Sequence, residues 1–358
     1  MDFLFSNLPP VRTGCQTFAD AFYSLIPVAT RLDIAVGYVT PDSLAELKQT
    51  IAYNTNITVL NLIIGMHYLD KFTELQYNAA VALNDYLCSE NRGEVRLVTP
   101  FRFHGKLYSY SNAGGAFAGI IGSNNLGSIV DSRTRTYEAS ALLNERQQAI
   151  KLREFIDKLS ADATDNIVDC TVTEFERRNT LLEDHENVEQ VSPDEKADVL
   201  SSLTATRFEI PLVKNGNVPQ KSNLNAFFGK GRLVTATGVV QPRHWYEAEL
   251  IVPMSISHLP GYPIGGTREA TFDVVTDDGW RFECKISDDV HGSNKNFRSA
   301  KDLKILGKWI KGRLENSGAL EVGHPVTADT FTRYGRDTFT LIKTTTPNLW
   351  YLDFEVRR

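Results

Sequence analysis

Two residues in the first half of the chain have the side chains and the spacing for chemistry on a phosphate. His104 and Lys106 are separated by a single glycine in the run Phe-Arg-Phe-His-Gly-Lys-Leu-Tyr that begins at Phe101. On a β-strand, side chains two positions apart leave the same face of the sheet. Neutral imidazole is a good nucleophile near neutral pH, and a neighbouring ammonium stabilises charge that grows on phosphoryl oxygens. The pair therefore predicts nucleophilic attack on phosphorus.

Three further polar residues follow in an order that suits the same reaction. Ser123 and Asn125 end a second apolar run, again two positions apart. A hydroxyl and an amide there can donate hydrogen bonds to the phosphoryl oxygens. Glu138 follows after a polar loop, where a carboxylate can accept the Nδ1 proton of an imidazole and leave Nε2 free to attack. We expect His104, Lys106, Ser123, Asn125 and Glu138 to form one catalytic site, and we predict no metal site.

The motifs around His104, Ser123 and Glu138 carry a family resemblance. His-x-Lys, then Gly-Ser-x-Asn, then a downstream Glu resembles the single-copy signature of the phospholipase D superfamily. The resemblance implies cleavage of phosphodiesters through a phosphohistidine, without a metal. The family also has an Asp several residues after the Lys, where this chain has only Ser109 or Ser111. Since that Asp is assigned a structural role, the departure concerns the local scaffold more than the chemistry.

The pair of His104 and Lys106 also has a simpler interpretation. By itself, a His-x-Lys pair on a strand is more often a half-exposed feature of an edge strand with no catalytic role. The Gly-Ser-x-Asn run at the end of the next strand, and the glutamate after it, favour a catalytic function.

The segments around these residues alternate between strand and helix patterns. Strands are expected from Arg31, over 56–66 and over 94–98, the last leading directly into the His104 run. Helices are expected from Thr40, over 70–88 and over 144–159. Alternation of this kind indicates an α/β fold. We therefore expect an α/β, phospholipase D-like nuclease and dimerisation domain over residues 1–160.

Length and composition predict a soluble protein of two domains. The chain has 358 residues, of which 42% are hydrophobic and 23% charged. No apolar run reaches the roughly 20 residues of a membrane span, and the first residues do not resemble a secretion signal. Cys15, Cys88, Cys170 and Cys284 lie far apart without paired spacing, which argues against a zinc site or a disulfide framework. We expect a cytoplasmic protein with no membrane partner.

Charge is distributed unevenly along the chain, although the net charge is −6. Residues 1–199 contain 17 Lys and Arg against 27 Asp and Glu, whereas 200–358 contain 21 against 17. The acidic excess is concentrated in 161–199, with 12 acidic and 3 basic residues. We interpret 161–199 as an acidic linker. It is either a solvated connector with some helix or a segment that lies across the catalytic cleft, mimics DNA charge and inhibits the nuclease.

The pattern changes at Leu200 to short strands with frequent Gly, Pro and Asn turns. A helix over 299–316 interrupts them, and Gly318 is expected to end it. This pattern indicates a compact, mainly-β, barrel-like domain over 200–358. Strands are expected over 207–213, 232–240, 245–252, 269–275, 280–286, 338–343 and 350–356.

Two loops of this second half mix amides with cations. Asn pairs with adenine and Arg or Lys with guanine, so such loops are suited to reading base edges. The helix adds Lys304, Lys308 and Lys311, a basic stripe that would rest on phosphates. The plain alternatives are ordinary surface turns and the solvated face of an amphipathic helix. The predicted DNA-binding residues are Lys221, Asn223, Asn225, Lys230, Arg232, Asn294, Lys295, Asn296 and Arg298.

The second half is also similar to a known family, the B3-like pseudobarrel of restriction enzymes and plant transcription factors. The similarity lies in the two loops, the run Leu-Lys-Ile-Leu-Gly-Lys-Trp from Leu303 and the run Gly-Arg-Asp-Thr-Phe-Thr-Leu from Gly335. In that family two arms grip the major groove of double-stranded DNA. A phospholipase D-type nuclease followed by a B3-like domain is similar to a group of restriction endonucleases, some of which work with a separate helicase-like ATPase subunit. The resemblance alone implies that partner, and with it ATP and magnesium; no cofactor is expected in this chain.

These observations together predict a sequence-specific DNA endonuclease. Phosphohistidine chemistry needs a second imidazole to protonate the leaving oxygen, and the chain has one His-x-Lys copy. We therefore expect a two-fold homodimer in which His104 of each subunit meets in one composite site. The alternatives are a lipid phosphodiesterase of the same superfamily and a DNA-binding regulator without catalysis. His67 and Tyr68 either border the catalytic cleft or are structural.

Overall fold

The protein divides into two compact units. The computed structural model describes residues 1–130, 136–176, 181–183, 185–263, 271–287 and 296–356. The first unit contains Met1–Arg178 and Gly231–Pro242, and the second contains Asn179–Lys230 and Arg243–Arg358. The first unit thus includes a segment from the second half of the chain.

Strands and helices alternate in the first half, and short strands dominate the second. The strands of the described residues are β1 (Asp2–Phe5), β2 (Arg31–Val36), β3 (Val59–Ile64), β4 (Phe72–Thr73), β5 (Gly93–Val98), β6 (Lys106–Asn112), β7 (Gly115–Gly122), β8 (Ala139–Leu143), β9 (Thr164–Asn166), β10 (Phe175–Glu176), β11 (Glu189–Gln190), β12 (Leu203–Pro211), β13 (Arg232–Val234), β14 (Val239–Gln241), β15 (Leu250–Ile251), β16 (Thr271–Thr276), β17 (Trp280–Ser287), β18 (Asn296–Ser299), β19 (Thr338–Thr344) and β20 (Leu349–Asp353). The α-helices are α1 (Phe18–Leu25), α2 (Pro41–Tyr53), α3 (His67–Asp70), α4 (Glu74–Ser89), α5 (Arg146–Ala163), α6 (Pro193–Ser201), α7 (Met254–Ser257), α8 (Lys304–Asn316) and α9 (Ala328–Tyr334).

The first unit is built on a mixed sheet with the strand order β1-β8-β7-β6-β2-β3-β5-β9 in the described residues. Strands β2, β3 and β5 are parallel to one another. The strands from β6 to β1 continue the sheet antiparallel, and β9 is antiparallel at the other edge. Parallel neighbours need a crossover connection, which α2 and α4 provide here. The α/β fold predicted for this region is confirmed.

Helices cover both faces of this sheet. Strand β2 is buried at every position after its first, as expected for a central strand between two helical layers. On one face, α5 packs Leu152, Ile156 and Leu159 against the strands. On the other face, aromatic rings of α1 contact Tyr108 and Tyr110 of β6. Strand β6 is therefore fixed from both sides, and so is the point at which it begins.

The single helix predicted over 70–88 is wrong in its first part. The short helix α3 ends at Asp70, and Lys71 has a φ of +75°, which an α-helix does not tolerate. Strand β4 follows, and α4 then begins after Thr73. The Thr73 side chain accepts from the Gln76 N–H while the Gln76 side chain accepts from the Thr73 N–H, which is a capping box. This local hydrogen bonding sets the start of the helix.

Part of the segment predicted as an acidic linker is incorporated in sheets. Strand β9 pairs with β5, and β10 pairs with β4. Further on, β11 pairs with β17, and α6 begins at Pro193 after the cap residue Ser192. Some of the acidic residues of 161–199 therefore lie in strands or helices.

A β-hairpin from the second half of the sequence completes the first unit. One strand was expected over 232–240, but β13 and β14 form two antiparallel strands, with Gly238 at a φ of +72° in the turn. Asn54 follows the end of α2, and its Nδ2 donates to the carbonyl oxygen of Val240 at 3.0 Å. The N–H of Val240 donates back to Asn54 Oδ1 at 3.3 Å. A single amide side chain thus pairs with β14 as a neighbouring strand would.

The second unit is organised around another sheet, with the described strand order β12-β19-β20-β16-β17-β18-β15 and β11 paired to β17. All its pairs are antiparallel in the described residues except β16 with β20. The mainly-β architecture predicted for this region is confirmed. The strand predicted over 245–252 is shorter, since β15 covers Leu250–Ile251.

The lysine stripe predicted on α8 is wrong, because those side chains face the interior. Lys308 and Lys311 are buried, and Lys304 is largely covered beside Asp302. Lys311 donates from Nζ to the carbonyl oxygen of Trp245 at 2.5 Å and lies 3.7 Å from the centre of that indole ring. These contacts replace water around the ammonium, so the spacing of lysines reports packing and not a DNA-facing surface.

Replacing Lys311 is expected to change how stability depends on pH. Burial lowers the pKa of Lys311 from 10.5 to about 7, whereas the carboxylate of Glu315 partly opposes the shift. A lysine whose pKa is lower in the folded than in the unfolded state loses its proton on folding, so stability increases with pH between those two values. Lys311→Met should reduce this slope by about 1 kcal/mol per pH unit between pH 7.5 and 9.5 in urea unfolding.

The matched control is Lys343→Met, since Lys343 is exposed on β19. That variant should keep the slope of the unmodified protein. An unchanged slope in Lys311→Met would contradict the assignment.

Candidate active site and nucleic-acid interface

One end of the first sheet gathers the segments that carry the predicted catalytic residues. Strand β2 ends where β6 begins, with Val36 opposite Lys106. Gly122 at the end of β7 lies opposite Ser140 near the start of β8. The connections before β6, after β7 and before β8 therefore leave the sheet at the same end. These connections carry His104, Ser123, Asn125 and Glu138.

His104 precedes the strand on which it was predicted. Strand β6 begins at Lys106, so the two side chains are not on one face of a strand. The His104 side chain is exposed, and its ring meets the Tyr38 ring edge to face, with centroids 5.8 Å apart and an interplanar angle of 77°. In the described part of the chain its ring nitrogens have no hydrogen-bond partner. An exposed imidazole without such a partner is available to a phosphate.

The Lys106 side chain is hydrogen-bonded to the backbone of the turn that contains His104. This side chain is buried, and Nζ donates to the carbonyl oxygen of His104 at 2.7 Å. Burial lowers the pKa of Lys106, and the Glu138 carboxylate opposes that shift. The ammonium is therefore bound to the backbone oxygen of His104 and fixes the turn before β6.

The other predicted residues differ in how their polar atoms are used. Ser123 Oγ donates to the carbonyl oxygen of Ala139 at 3.1 Å and accepts its N–H at 3.0 Å, so this hydroxyl links β7 to β8. Asn125 Oδ1 accepts from the N–H of Tyr38 at 3.0 Å. Glu138 is anchored through its backbone to Ser6. Within the described residues its carboxylate does not hydrogen-bond to the His104 ring, in contrast to the orientation predicted for it.

Close packing at this end of the sheet requires glycine. A Cβ on Gly122 would lie 2.1 Å from Ser140 Oγ and 2.4 Å from Ser140 Cα. Gly37 lies similarly close to His104, since a Cβ there would lie 3.1 Å from His104 Cδ2. Only glycine permits these approaches without displacing the neighbouring backbone or the imidazole.

Sequence reasoning missed a hydrogen-bonded group beside His104. The Tyr38 hydroxyl donates to Asp70 Oδ2 at 2.8 Å, and Arg102 Nε donates to Asp70 Oδ1 at 2.6 Å. The Gly-Tyr dipeptide directly after β2 was the available signal, because side chains that follow a parallel strand lie at its carboxyl end. His67 is buried, so the structural interpretation of this residue applies.

The segment in which the resembled family has an Asp, and this chain has Ser109 and Ser111, pairs with β2. Ser109 is fully buried and lies opposite Asp33 of β2. Asp33 forms ion pairs with Arg31 at 2.9 Å and Arg153 at 3.0 Å, and it accepts from Asn61 at 2.7 Å. A buried carboxylate is therefore present in this part of the sheet, although another strand supplies it.

A cavity of about 470 Å³ beside Arg31 and Arg153 opens at the opposite end of the sheet from His104.

A group of carboxylates in the second unit has the spacing of metal ligands. Oxygens of Asp277, Asp353 and Glu355 lie within 4.8 Å of one another. Asp277 is paired with Arg313, and Asp353 is paired with Arg336 at 3.0 Å. Two of the three carboxylates are therefore engaged by arginines.

The first predicted DNA-contact loop has both exposed and buried members. Lys221 and Lys230 are exposed, and Arg232 is exposed on β13 within the first unit. Asn223 Oδ1 accepts from the N–H of Ile251 at 3.3 Å. Asn225 is 1% exposed; its Nδ2 donates to the carbonyl oxygens of Pro219 and Val326, and its Oδ1 accepts the Val326 N–H. This burial argues against contact between Asn225 and a base.

The second loop is described only at its end. Asn294 and Lys295 lie outside the described residues. Asn296 begins β18 opposite Ile251, and Arg298 is half-buried on the same strand, 3.8 Å from a Glu249 carboxylate oxygen.

Family comparisons match both halves of the chain. The model described as the NgoFVII restriction endonuclease N-terminal PLD domain matches residues 16–177. The model described as the NgoFVII C-terminal B3-like DNA-binding domain matches residues 198–345. The two matches do not overlap, and together they leave only the ends and a short connection unmatched. None of the curated proteins matches the chain.

Several solved structures are similar to part of the chain. Nuc from Salmonella typhimurium, a phospholipase D family member, is 16% identical, with 46% of this chain and 95% of that chain covered and a TM-score of 0.30. NucT from Helicobacter pylori is 13% identical, with coverages of 41% and 89% and a TM-score of 0.28. The archaeal chromatin protein TrmBL2 is 12% identical at a TM-score of 0.28; 40% of this chain is covered, and the chain spans about half, 48%, of that protein.

Substitutions at Asn225 and Lys221 should separate a structural amide from a DNA contact. Asn225→Ala leaves buried backbone groups without partners and is expected to lower the free energy of unfolding by about 2 kcal/mol. Lys221→Ala removes an exposed charge, so unfolding should stay within about 0.5 kcal/mol while DNA affinity and its dependence on salt both fall. Urea unfolding and titration of duplex DNA at two salt concentrations would measure these effects. Equal destabilisation by the two substitutions would contradict this division.

Proposed function

Because the chain belongs to the NgoFVII restriction endonuclease family, with its N-terminal PLD domain and its C-terminal B3-like DNA-binding domain, we propose that it is a sequence-specific DNA endonuclease that acts through a phosphohistidine. The observation that carries the proposal is the exposed imidazole of His104 at the end of the PLD-domain sheet, in a chain that also contains a DNA-binding domain. The excess of basic over acidic residues in 200–358 supports binding to the phosphate backbone.

Hydrolysis would take place in two displacements. The Nε2 atom of His104 attacks the scissile phosphorus, a P–N bond forms, and the bond to the leaving oxygen breaks. An imidazolium from a second copy of the chain gives its proton to that oxygen. A water then attacks the phosphohistidine and gives its proton to the same second imidazole, and the P–N bond breaks. One DNA end carries a phosphate and the other a hydroxyl.

Other residues of the chain would bind the phosphoryl group and stabilise its charge. The Nδ2 group of Asn125, whose Oδ1 accepts from Tyr38, would donate to a phosphoryl oxygen, and the Lys106 ammonium would stabilise negative charge. Ser123 would support the site by fixing the connection between β7 and β8, as its hydrogen bonds to Ala139 suggest. The Glu138 carboxylate, which opposes the lowering of the Lys106 pKa by burial, would help to keep that amine protonated.

A second copy of the chain is required because one chain offers one such imidazole. Apolar side chains that border the site support this arrangement. Phe101, Ile121 and Tyr137 are 47%, 42% and 43% exposed. Each is within three positions of His104, Ser123 or Glu138. Large apolar groups next to a polar site are typical of a surface that another protein covers.

His104→Ala is expected to abolish cleavage and retain DNA binding. The loss should be at least about a thousandfold, because the nucleophile and the proton donor are both removed. Cleavage of phage DNA by the unmodified chain should persist in EDTA, unless a helicase-like ATPase partner introduces a need for ATP and magnesium. His324→Ala, which changes an exposed histidine of the second unit, is the control and should cleave normally. Equal cleavage by His104→Ala would refute the nuclease proposal.

Mixtures of unmodified and His104→Ala chains test the composite site. If each site needs both imidazoles and subunits exchange freely, activity should fall as the square of the unmodified fraction. A linear decrease would show that one chain suffices.

Ile121→Glu is expected to disrupt the homodimer and with it cleavage. The new carboxylate would be buried without a partner at the subunit interface, which costs several kcal/mol. Light scattering should show monomers, and cleavage should fall in proportion to the dimer that is lost. Val28→Glu is the control, since Val28 is 58% exposed just before β2, at the other end of that strand. Dimers of unchanged stability in Ile121→Glu would rule out this surface.

A further inference from the structure

We propose that Tyr38 is a positioning residue that holds the His104 ring and the Asn125 amide in one fixed arrangement; this inference rests on the proposed function. Tyr38 follows directly after β2 and Gly37. It contacts both groups, but it is not part of either motif that the sequence made visible.

The aromatic ring of Tyr38 packs against the His104 imidazole. The two rings meet at 77° with 5.8 Å between centroids, a favourable edge-to-face geometry. His104 lies in the turn before β6 and has no hydrogen-bonded partner for its ring among the described residues. The Tyr38 ring and Gly37 both lie against the imidazole and limit which way it faces.

The backbone of Tyr38 orients the amide of Asn125. An N–H group can only donate, so the atom that it meets at 3.0 Å must be the amide oxygen of Asn125. The Nδ2 group is then directed away from β2 and has no partner in the described part of the chain. Tyr38 thus orients both His104, the proposed nucleophile, and the Asn125 amide, the proposed donor to the phosphoryl oxygens.

The hydroxyl of Tyr38 is held in turn by Asp70. One oxygen of Asp70 accepts from Tyr38 at 2.8 Å, and the other accepts from Arg102 at 2.6 Å. The bonds from Arg102 and Tyr38 lower the pKa of Asp70, in that order of size, so the carboxylate stays ionised and remains an acceptor. Arg102 is two positions before His104, so the hydrogen bonds through Asp70 link the Tyr38 hydroxyl to the segment that contains His104.

His67 supports Tyr38 from a second side. Its Nε2 accepts from the N–H of Val39 at 3.2 Å, so the ring proton is on Nδ1, which faces the carbonyl oxygen of Lys71 at 3.3 Å. Burial lowers the pKa of His67 and keeps it neutral. Its ring stacks on Phe72 and meets Tyr38 edge to face at 5.2 Å. The Tyr38 ring is thereby placed between two imidazoles, one buried and one exposed.

The test compares Tyr38→Leu, which removes the ring, with Tyr38→Phe, which retains it. Tyr38→Leu should slow single-turnover cleavage about 10- to 100-fold, with the DNA dissociation constant changed less than about twofold. Tyr38→Phe should recover most of the rate, because the ring against His104 and the backbone N–H both remain. Tyr86→Leu is the matched control, since Tyr86 is another half-buried tyrosine of the first unit with a hydrogen-bonded hydroxyl, and it should keep the cleavage rate.

A second readout does not depend on cleavage. The His104 ring resonances, identified by their loss in His104→Ala, should move in Tyr38→Leu but remain nearly unchanged in Tyr38→Phe and Tyr86→Leu. If Tyr38→Leu does not fold, Asp70→Ala replaces it and should shift the same resonances by releasing the hydroxyl. If the unmodified chain cleaves DNA while Tyr38→Leu matches it in rate and in His104 resonances, the positioning role is overturned. If the unmodified chain does not cleave, the proposed function fails, and the resonances alone decide the role of Tyr38.

Discussion

The register of the first sheet is the constraint on which the candidate site depends. Strand β2 is parallel to β3 and antiparallel to β6, so the carboxyl end of β2 meets the start of β6. The same alternation brings the end of β7 to the start of β8. A shift of one residue in either pair would turn every side chain of that strand to the other face of the sheet. Helices on both faces oppose such a shift, and they thereby hold together connections that are distant in the sequence.

The charged and titratable side chains at this end of the sheet differ in how deeply they are buried. The Lys106 ammonium is buried and bound to the backbone of the turn that contains His104, and burial lowers its pKa. The His104 imidazole is exposed on the surface. The Asp70 carboxylate is held between Tyr38 and Arg102. Ionic side chains thus order the turn, and the exposed surface remains open to an anionic ligand.

The sequence predicted element types well because they depend on local patterns. The alternation of strands with helices, the capped start of α2 at Thr40 and the mainly-β second half are read from periodicity and from cap residues. The break at Lys71 depends on a backbone conformation that no side-chain pattern reports. The lysines of α8 misled for a related reason, since helical spacing shows which residues share a face but not what that face packs against. Tyr38 was missed because its link to Asn125 is a backbone N–H, a group that every residue except proline has.

The hairpin of β13 and β14 has a consequence for how such proteins are recombined. It comes from the stretch that matches the DNA-binding family model, yet it completes the nuclease unit through Asn54. A single crossover at the sequence boundary between the family matches would exchange this hairpin along with the part of the chain that matches the B3-like DNA-binding model. The recipient α2 would then meet a foreign strand, and Asn54 would keep its partner only because the contact is made to backbone atoms. Any exchange between such proteins therefore needs to preserve the backbone path of this strand, because Asn54 bonds to its backbone atoms.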